Sequence, residues 1–286
     1  MKILKYFFEF IFIGFLFLFF SLLGLKFSSK LGEIIVGTFG PFFRSKKIID
    51  SNILKALPNI DFKRLDTIRN SMWKNYGKIL SEYMFLKDFR NSKYESNIKI
   101  EGEKILETIK INNKPVIFIS GHFNNFELMA MQIEKSGIKL AAIYRPLNNI
   151  FLNGIMEKIR KKYICKNQIK KGKSGTRELL TLFKDGHSIA LMIDQRVTQG
   201  IKSNFFGKEA YTTTIPAQFI KKFDCKIVPV YIQRFNSSKF EIKFYNPLSF
   251  DKKESIEKIT NDLNLIIEKM ILKNPEQWIW THNRWK

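Results

Sequence analysis

The sequence predicts an α/β sandwich, a sheet with helices on both faces, preceded by an N-terminal membrane-anchoring helix. Three observations lead there. An uncharged, strongly apolar run, FIFIGFLFLFFSLLGL, stretches from Phe10 to Leu25. Two short apolar runs, PVIFIS at 115–120 and HSIALMI at 187–193, have the composition of strands covered on both faces. Segments with apolar residues at spacings of three and four alternate with these strands, as in an α/β domain.

Residues 10–25 span about 24 Å as a helix, short of a ~30 Å hydrocarbon core. Starting at Tyr6 lengthens the span to about 30 Å and takes in Glu9, which can snorkel to the interface. A buried core helix does not fit, because apolar side chains cover every face. A cleaved signal peptide fits poorly too: no A-x-A-like site follows, and Lys26 interrupts the expected region. Residues 1–30 therefore read as an uncleaved anchor, spanning or steeply interfacial. Lysines flank both ends, with Lys2 and Lys5 before the run and Lys26 and Lys30 after it.

The rest, 31–286, reads as one domain whose first part, 31–95, is helical. Residues 31–60 look like short apolar pieces broken by Gly32, Gly37, Gly40-Pro41 and Pro58. Phe62 to Phe89 has helical spacing through Leu65, Ile68, Met72, Tyr76, Ile79 and Tyr83. Strands follow at Ile98–Glu101, 115–120, Lys139–Tyr144, His187–Ile193, Ile227–Gln233 and Phe240–Phe244. Helices are expected from about Lys104, after Glu127, at Asn149–Lys162, at Thr176–Lys184 and at Ile256–Leu272.

Composition narrows the function. Forty-nine Lys and Arg against 26 Asp and Glu give a net charge of +23, which favours anionic partners. Lysine, Ile, Asn and Phe share A/T-rich codons, so genome composition accounts for part of that surplus. No C2H2 spacing or RNP1-like string marks a nucleic-acid binder. Two cysteines, Cys165 and Cys225, exclude a disulfide scaffold and Cys-rich zinc sites. No clustered His/Cys/Asp set suggests a metal site. A hydrolase is disfavoured by the absence of a G-x-S-x-G elbow.

Chemistry concentrates where the first buried strand ends, in Ser120-Gly121-His122-Phe123-Asn124-Asn125-Phe126-Glu127. Reactive groups in open α/β sheets collect beyond the carboxyl ends of strands. On a continuous helix five residues rotate about 140° net, so His122 and Glu127 meet only if the strand–helix junction breaks the helix between them. A carboxylate bonded to one imidazole nitrogen would leave the other as a general base. A structural histidine beside an unrelated surface glutamate is equally compatible with the spacing alone.

The string GHFNNFE at 121–127 resembles the H-x4-D/E signature of the glycerolipid acyltransferase superfamily. The wider pattern resembles its lipid A late-acyltransferase branch. The supporting strings occur in order: ALPNID at 56–61, YRPLNN at 144–149, GTRELLTLFKDGHSIALMIDQ at 175–195, FFGKEAYTTTIPA at 205–217, IVPVY at 227–231 and NPEQWIWTHNRWK at 274–286. The resemblance implies a three-layer sandwich of the glycerolipid acyltransferase type. It also implies an inner-membrane enzyme, with its catalytic domain on the cytoplasmic side. The reaction implied moves a fatty acyl group from acyl carrier protein to a hydroxyl of a phosphorylated, Kdo-bearing lipid A precursor. No cofactor is implied beyond the acyl thioester, which is the donor substrate.

In that scheme His122 is the base and Glu127 orients it. Arg145, at the end of the next strand, would bind a lipid or phosphopantetheine phosphate through its guanidinium. Asp194-Gln195 matches a family Asp-Gln element, with Asp194 placing Arg145 or a substrate hydroxyl. The branch commonly has Gly where Asn124 stands, Trp where Phe126 stands, and Gly at Ile215. Asn124 would narrow the turn or donate to the developing oxyanion. Other acceptors (a lysophospholipid, an aminolipid, a mannosylated phosphoinositide) fit the same chemistry, and a non-catalytic module binding anionic lipid through its lysines is a reading of another class. Trp278, Trp280 and Trp285 are expected to pack or to sit at the membrane interface.

Overall fold

The N-terminal run, apolar on all faces, forms the outer half of one long helix, α1 (Lys2–Phe39), and touches the rest of the chain where Phe7 and Phe10 pack on Phe151. The computed structural model describes residues 2–286. Helix α1 kinks at Gly24, whose φ of 74° and ψ of 163° suit a residue without Cβ. Phe8, Phe12, Phe15 and Leu22 of the outer half are exposed. By length and composition this helix can cross a membrane. The helix runs through Gly32 and Gly37 to Phe39, whereas the breaks expected at Gly40-Pro41 and Pro58 do form. A 3-10 turn, Gly40–Phe43, then leads to α2 (Lys46–Ala56).

The glycines that read as breakers are packing positions. Helix α3 (Phe62–Glu82), capped by the Asp61 side chain, lies against the inner half of α1. The two backbones touch at Gly32 and Gly77, where a Cβ on Gly77 would come within 1.9 Å of the Gly32 carbonyl oxygen. Neither backbone can yield locally. Gly77→Ala should therefore cost at least ~2–3 kcal/mol, seen as a lowered melting temperature of the detergent-solubilised protein.

The chain continues through α4 (Leu86–Arg90), β1 (Ile98–Glu101), α5 (Glu103–Asn112), β2 (Ile117–Ser120), α6 (Glu127–Lys135) and β3 (Leu140–Tyr144). Next come α7 (Ile150–Tyr163), β4 (Asn167–Lys170), α8 (Lys173–Lys184) and β5 (Ser188–Met192). A separate antiparallel hairpin, β6 (Ile201–Phe205) and β7 (Lys208–Thr212), precedes α9 (Ile215–Phe223), β8 (Ile227–Asn236), β9 (Lys239–Phe244) and α10 (Ile256–Lys273).

The main sheet has the order β1-β9-β8-β2-β5-β3-β4. Only the β8–β9 contact is antiparallel; the other neighbours are parallel. Right-handed crossovers put α6 and α7 on one face and α8 and α9 on the other. Helix α4 packs against α6 and α7, with Phe89 buried on Phe240 of β9, and α10 packs on α9. The result is the three-layer α/β sandwich, with β2 at its centre and every β2 residue buried. In register, Ser120 of β2 pairs with Met192 of β5.

Candidate active site

That register decides which side chains meet. Two residues beyond Ser120 is His122, and two beyond Met192 is Asp194. The Asp194 Oδ1 lies 2.8 Å from His122 Nδ1, and its Oδ2 accepts the His122 backbone N–H at 2.8 Å. The Trp278 indole donates to the same Oδ2 at 2.7 Å. Gly121 is needed between them, since a Cβ there would stand 2.9 Å from the Phe123 ring and 3.2 Å from Asp194 Oδ2. Burial alone would raise the Asp194 carboxyl, but the charge and hydrogen bonds of His122 and the Trp278 bond outweigh it and hold the carboxyl below its ordinary value. An ionised Asp194 keeps the proton of a neutral imidazole on Nδ1 and leaves Nε2 free as a base.

Glu127 does not join this pair. It opens α6, beyond the turn, and its Oε1 accepts from the Tyr83 hydroxyl at 2.9 Å and from Arg160 Nε at 2.7 Å and Nη2 at 2.6 Å. The expected His122–Glu127 contact is thus replaced by two contacts, His122–Asp194 and Glu127–Arg160. Burial would lower the Arg160 guanidinium, yet the adjacent Glu127 charge more than offsets it, so Arg160 stays cationic. Burial, and then the Glu127 charge, push the Tyr83 hydroxyl well above its ordinary value. Arg160 also lies over the Tyr83 and Tyr144 rings, at 6.0 and 5.7 Å.

Asn124 differs from expectation in the same way. Its φ is 45°, a left-handed value that glycine or asparagine tolerates, which explains how Asn stands where the branch commonly has Gly. The side chain is buried and committed. Oδ1 accepts from the Asn125 N–H and from Arg234, and Nδ2 donates to Gln277 at 2.6 Å. Asn124 does not line the cleft that holds His122, so its second amide hydrogen is not offered to substrate or an oxyanion. Asn124 instead ties the His122 turn to a buried ion pair, Glu82–Arg234, which also receives Ser29 and Asn125.

His122, Glu127, Arg160, Arg145 and Gln195 all line one cleft of about 240 Å³. Phe126 forms part of the wall, its ring edge-on to His122 at 4.8 Å. Arg145 is exposed at the rim beside Lys171, and neither has an acidic partner among the described residues. Partial burial and the nearby Arg145 lower the Lys171 ammonium. Arg145 makes no contact with Asp194, whose bonds are spent on His122 and Trp278. Sequence reasoning missed Arg160, Tyr83 and Lys171. Trp278 and Trp280 are core residues, stacked edge-on at 4.5 Å.

His282 also borders the cleft, and its Nε2 accepts the Arg196 backbone N–H at 2.9 Å. Burial drives its imidazole down from the ordinary 6.5 to about 4, so it is neutral at pH 7. The unfolded chain takes up this proton first as pH falls. Stability from His282 is therefore complete above about pH 6.5 and declines toward pH 4. A His282→Gln variant should show a flatter melting temperature across that window.

Comparison with known proteins decides the family. The family model described as bacterial lipid A biosynthesis acyltransferase matches residues 1–286. The chain belongs to this family. The lipid A biosynthesis acyltransferase family includes relatives at low identity. The chain is 22% identical over 263 residues to the lipid A biosynthesis palmitoleoyltransferase of Escherichia coli (strain K12), covering 90% of this chain and 84% of that one. It is 23% identical over 198 residues to lipid A biosynthesis acyltransferase 2 of Shigella flexneri, covering 66% and 60%. Among solved structures it matches the 1-acyl-sn-glycerophosphate acyltransferase PlsC from Thermotoga maritima, with a TM-score of 0.39 and 14% identity over 89% of this chain and 98% of that one. This lipid A biosynthesis acyltransferase family member is thus a lipid acyltransferase with an α/β fold and an N-terminal apolar helix.

Proposed function

We propose that the enzyme moves a fatty acyl group from acyl carrier protein to a hydroxyl of a phosphorylated lipid A precursor of the Kdo-lipid IVA type. The observation that carries the reading is the His122–Asp194 pair at the cleft beside the unpaired cations Arg145 and Lys171. Nε2 of His122 takes the acceptor hydroxyl proton as its oxygen attacks the thioester carbonyl. The tetrahedral intermediate collapses, the carbon–sulfur bond breaks, and the leaving thiolate takes the proton from His122. The imidazole returns to its starting state without a covalent acyl-enzyme. Arg160, fixed by Glu127, offers positive charge from the cleft wall to the developing oxyanion.

Arg145 and Lys171 supply the positive charge that a phosphorylated acceptor or the phosphopantetheine arm calls for. The net charge of +23 suits an acidic carrier protein and anionic headgroups as partners. The catalytic domain then lies on the cytoplasmic side of the inner membrane, where acyl carrier protein is found. The test supplies membranes containing the enzyme with acyl-carrier-protein or coenzyme A thioesters and with several acceptors. Acylation of the lipid A precursor from the carrier-protein donor is expected. Preferential acylation of a lysophospholipid, or equal use of coenzyme A thioesters, would overturn the corresponding part of the reading.

A further inference from the structure

The inner half of α1 has its polarity reversed. The face packed on α3 carries small and polar residues, with Ser28, Ser29 and Gly32 buried beside Leu25. The outward face carries Phe27, Ile34 and Phe39, all exposed, interleaved with exposed Lys26, Lys30 and Thr38. A helix at a water-facing surface shows the opposite arrangement. The row continues into the Gly40–Phe43 turn, where Phe42 and Phe43 are each 84% exposed. Single exposed apolar residues are ordinary, whereas a contiguous row marks an interaction surface.

Beside the turn, Lys46, Lys47, Lys55 and Lys208 line a groove of about 690 Å³. The carboxylate in that groove, Asp50, is taken by Arg69 at 2.5 Å. None of the four lysines has an acidic partner among the described residues. An apolar row bordered by unneutralised lysines matches the cross-section of an anionic lipid leaflet, hydrocarbon next to phosphate.

We propose that the inner half of α1 and the Gly40–Phe43 turn lie in the plane of an anionic bilayer surface, with Phe42 and Phe43 in its apolar layer and Lys46, Lys47 and Lys55 among its phosphates. This extends the reading that the outer half of α1 is in the membrane. An acidic protein would satisfy the lysines but leave uncovered Phe27, Ile34, Phe39, Phe42 and Phe43, which follow the anchor beyond Gly24. Phe43 also edges a groove shared with Gln195 and His282, and both of those line the catalytic cleft. The docked turn therefore brings the cleft mouth to headgroup level, and an acceptor can present its hydroxyl while its other chains stay in the bilayer.

The test uses full-length protein in phosphatidylcholine vesicles with and without phosphatidylglycerol. Nitroxide labels are placed singly by I34C, F42C and F43C, with F15C reporting the anchor and K253C a distant exposed loop. Both native cysteines are buried. At positions 34, 42 and 43, oxygen should collide with the label more often than an aqueous nickel chelate does, as at 15 and unlike 253. Each lysine at an anionic surface is worth roughly fivefold in partitioning, so a K46E/K47E pair should lower the embedded fraction by at least about tenfold, and only with phosphatidylglycerol present. Labels at 42 and 43 in water while 15 is embedded would overturn the proposal and spare the anchor. Labels embedded at 42 and 43 while 15 is in water would leave the proposal standing without the anchor. Water at all of these positions overturns both. Shielding that appears only on adding an acidic carrier protein would also overturn it, and would assign the patch to that protein.

Discussion

Asp194→Asn should lower turnover by about 10³–10⁴-fold while leaving KM nearly unchanged. Three donors converge on this carboxylate: the His122 ring, the His122 backbone N–H and the Trp278 indole. An amide keeps one accepting oxygen, and the backbone and indole bonds claim it at the Oδ2 position. The amide NH₂ then faces Nδ1 and donates to it. That moves the imidazole proton to Nε2, the nitrogen needed as base. KM holds because Asp194 is fully buried and touches no substrate. His122→Ala should show a comparable loss, and the double variant little more than either alone, since the pair acts as a unit. Glu127→Gln separates the two arrangements. It weakens the Arg160 contact and leaves the His122–Asp194 bond in place. If His122 depended on Glu127 instead, Asp194→Asn would be mild and Glu127→Gln would carry the tautomer defect. Steady-state kinetics of the three variants, with melting curves as a control for folding, distinguish these outcomes.

Glu82→Gln should be the most destabilising conservative change in the protein, by roughly 3–5 kcal/mol. Glu82 is wholly buried, and its two oxygens hold Arg234 at 2.5 and 2.9 Å, Ser29 at 3.0 Å and Asn125 at 3.1 Å. The variant leaves the Arg234 guanidinium buried without a countercharge. For a domain of this size the melting temperature should fall by about 6–15 °C. A Glu82→Leu/Arg234→Met double variant should recover much of that loss, because two apolar groups leave no stranded charge. Activity should fall further than stability alone explains, since Arg234 and Asn125 brace the turn that presents His122.

The elements carrying these groups were legible because they depend on local patterns. The buried runs at 115–120 and 187–193 became β2 and β5, and both His122 and Asp194 were placed at strand ends. Their partnership was not legible, because it depends on β5 lying next to β2, although two strands and three helices separate them along the chain. Spacing along the chain favoured Glu127, five residues away, while sheet order favoured Asp194, seventy-two residues away. Asn124 was misassigned for a related reason: its amide partners, Gln277 and Arg234, come from distant segments. The β6–β7 hairpin was missed because its turn is Phe206-Gly207, both at positive φ, and phenylalanine is a poor marker of such a turn. Gly32 was taken for a breaker because nothing local announces that a second glycine, Gly77, will meet it.

The bonds that finish the site span long stretches of chain, joining Asn124 to Gln277, Asp194 to Trp278 and Asn125 to Glu82. Each of these bonds must close a large loop, as the sheet pairings themselves do. The anchor helix needs none of them. Gln277 and Trp278 lie far beyond α1 in the chain, so that apolar helix can form before the His122 turn receives their bonds. Bracing of the His122 turn thus depends on a residue 153 positions beyond Asn124 in the chain.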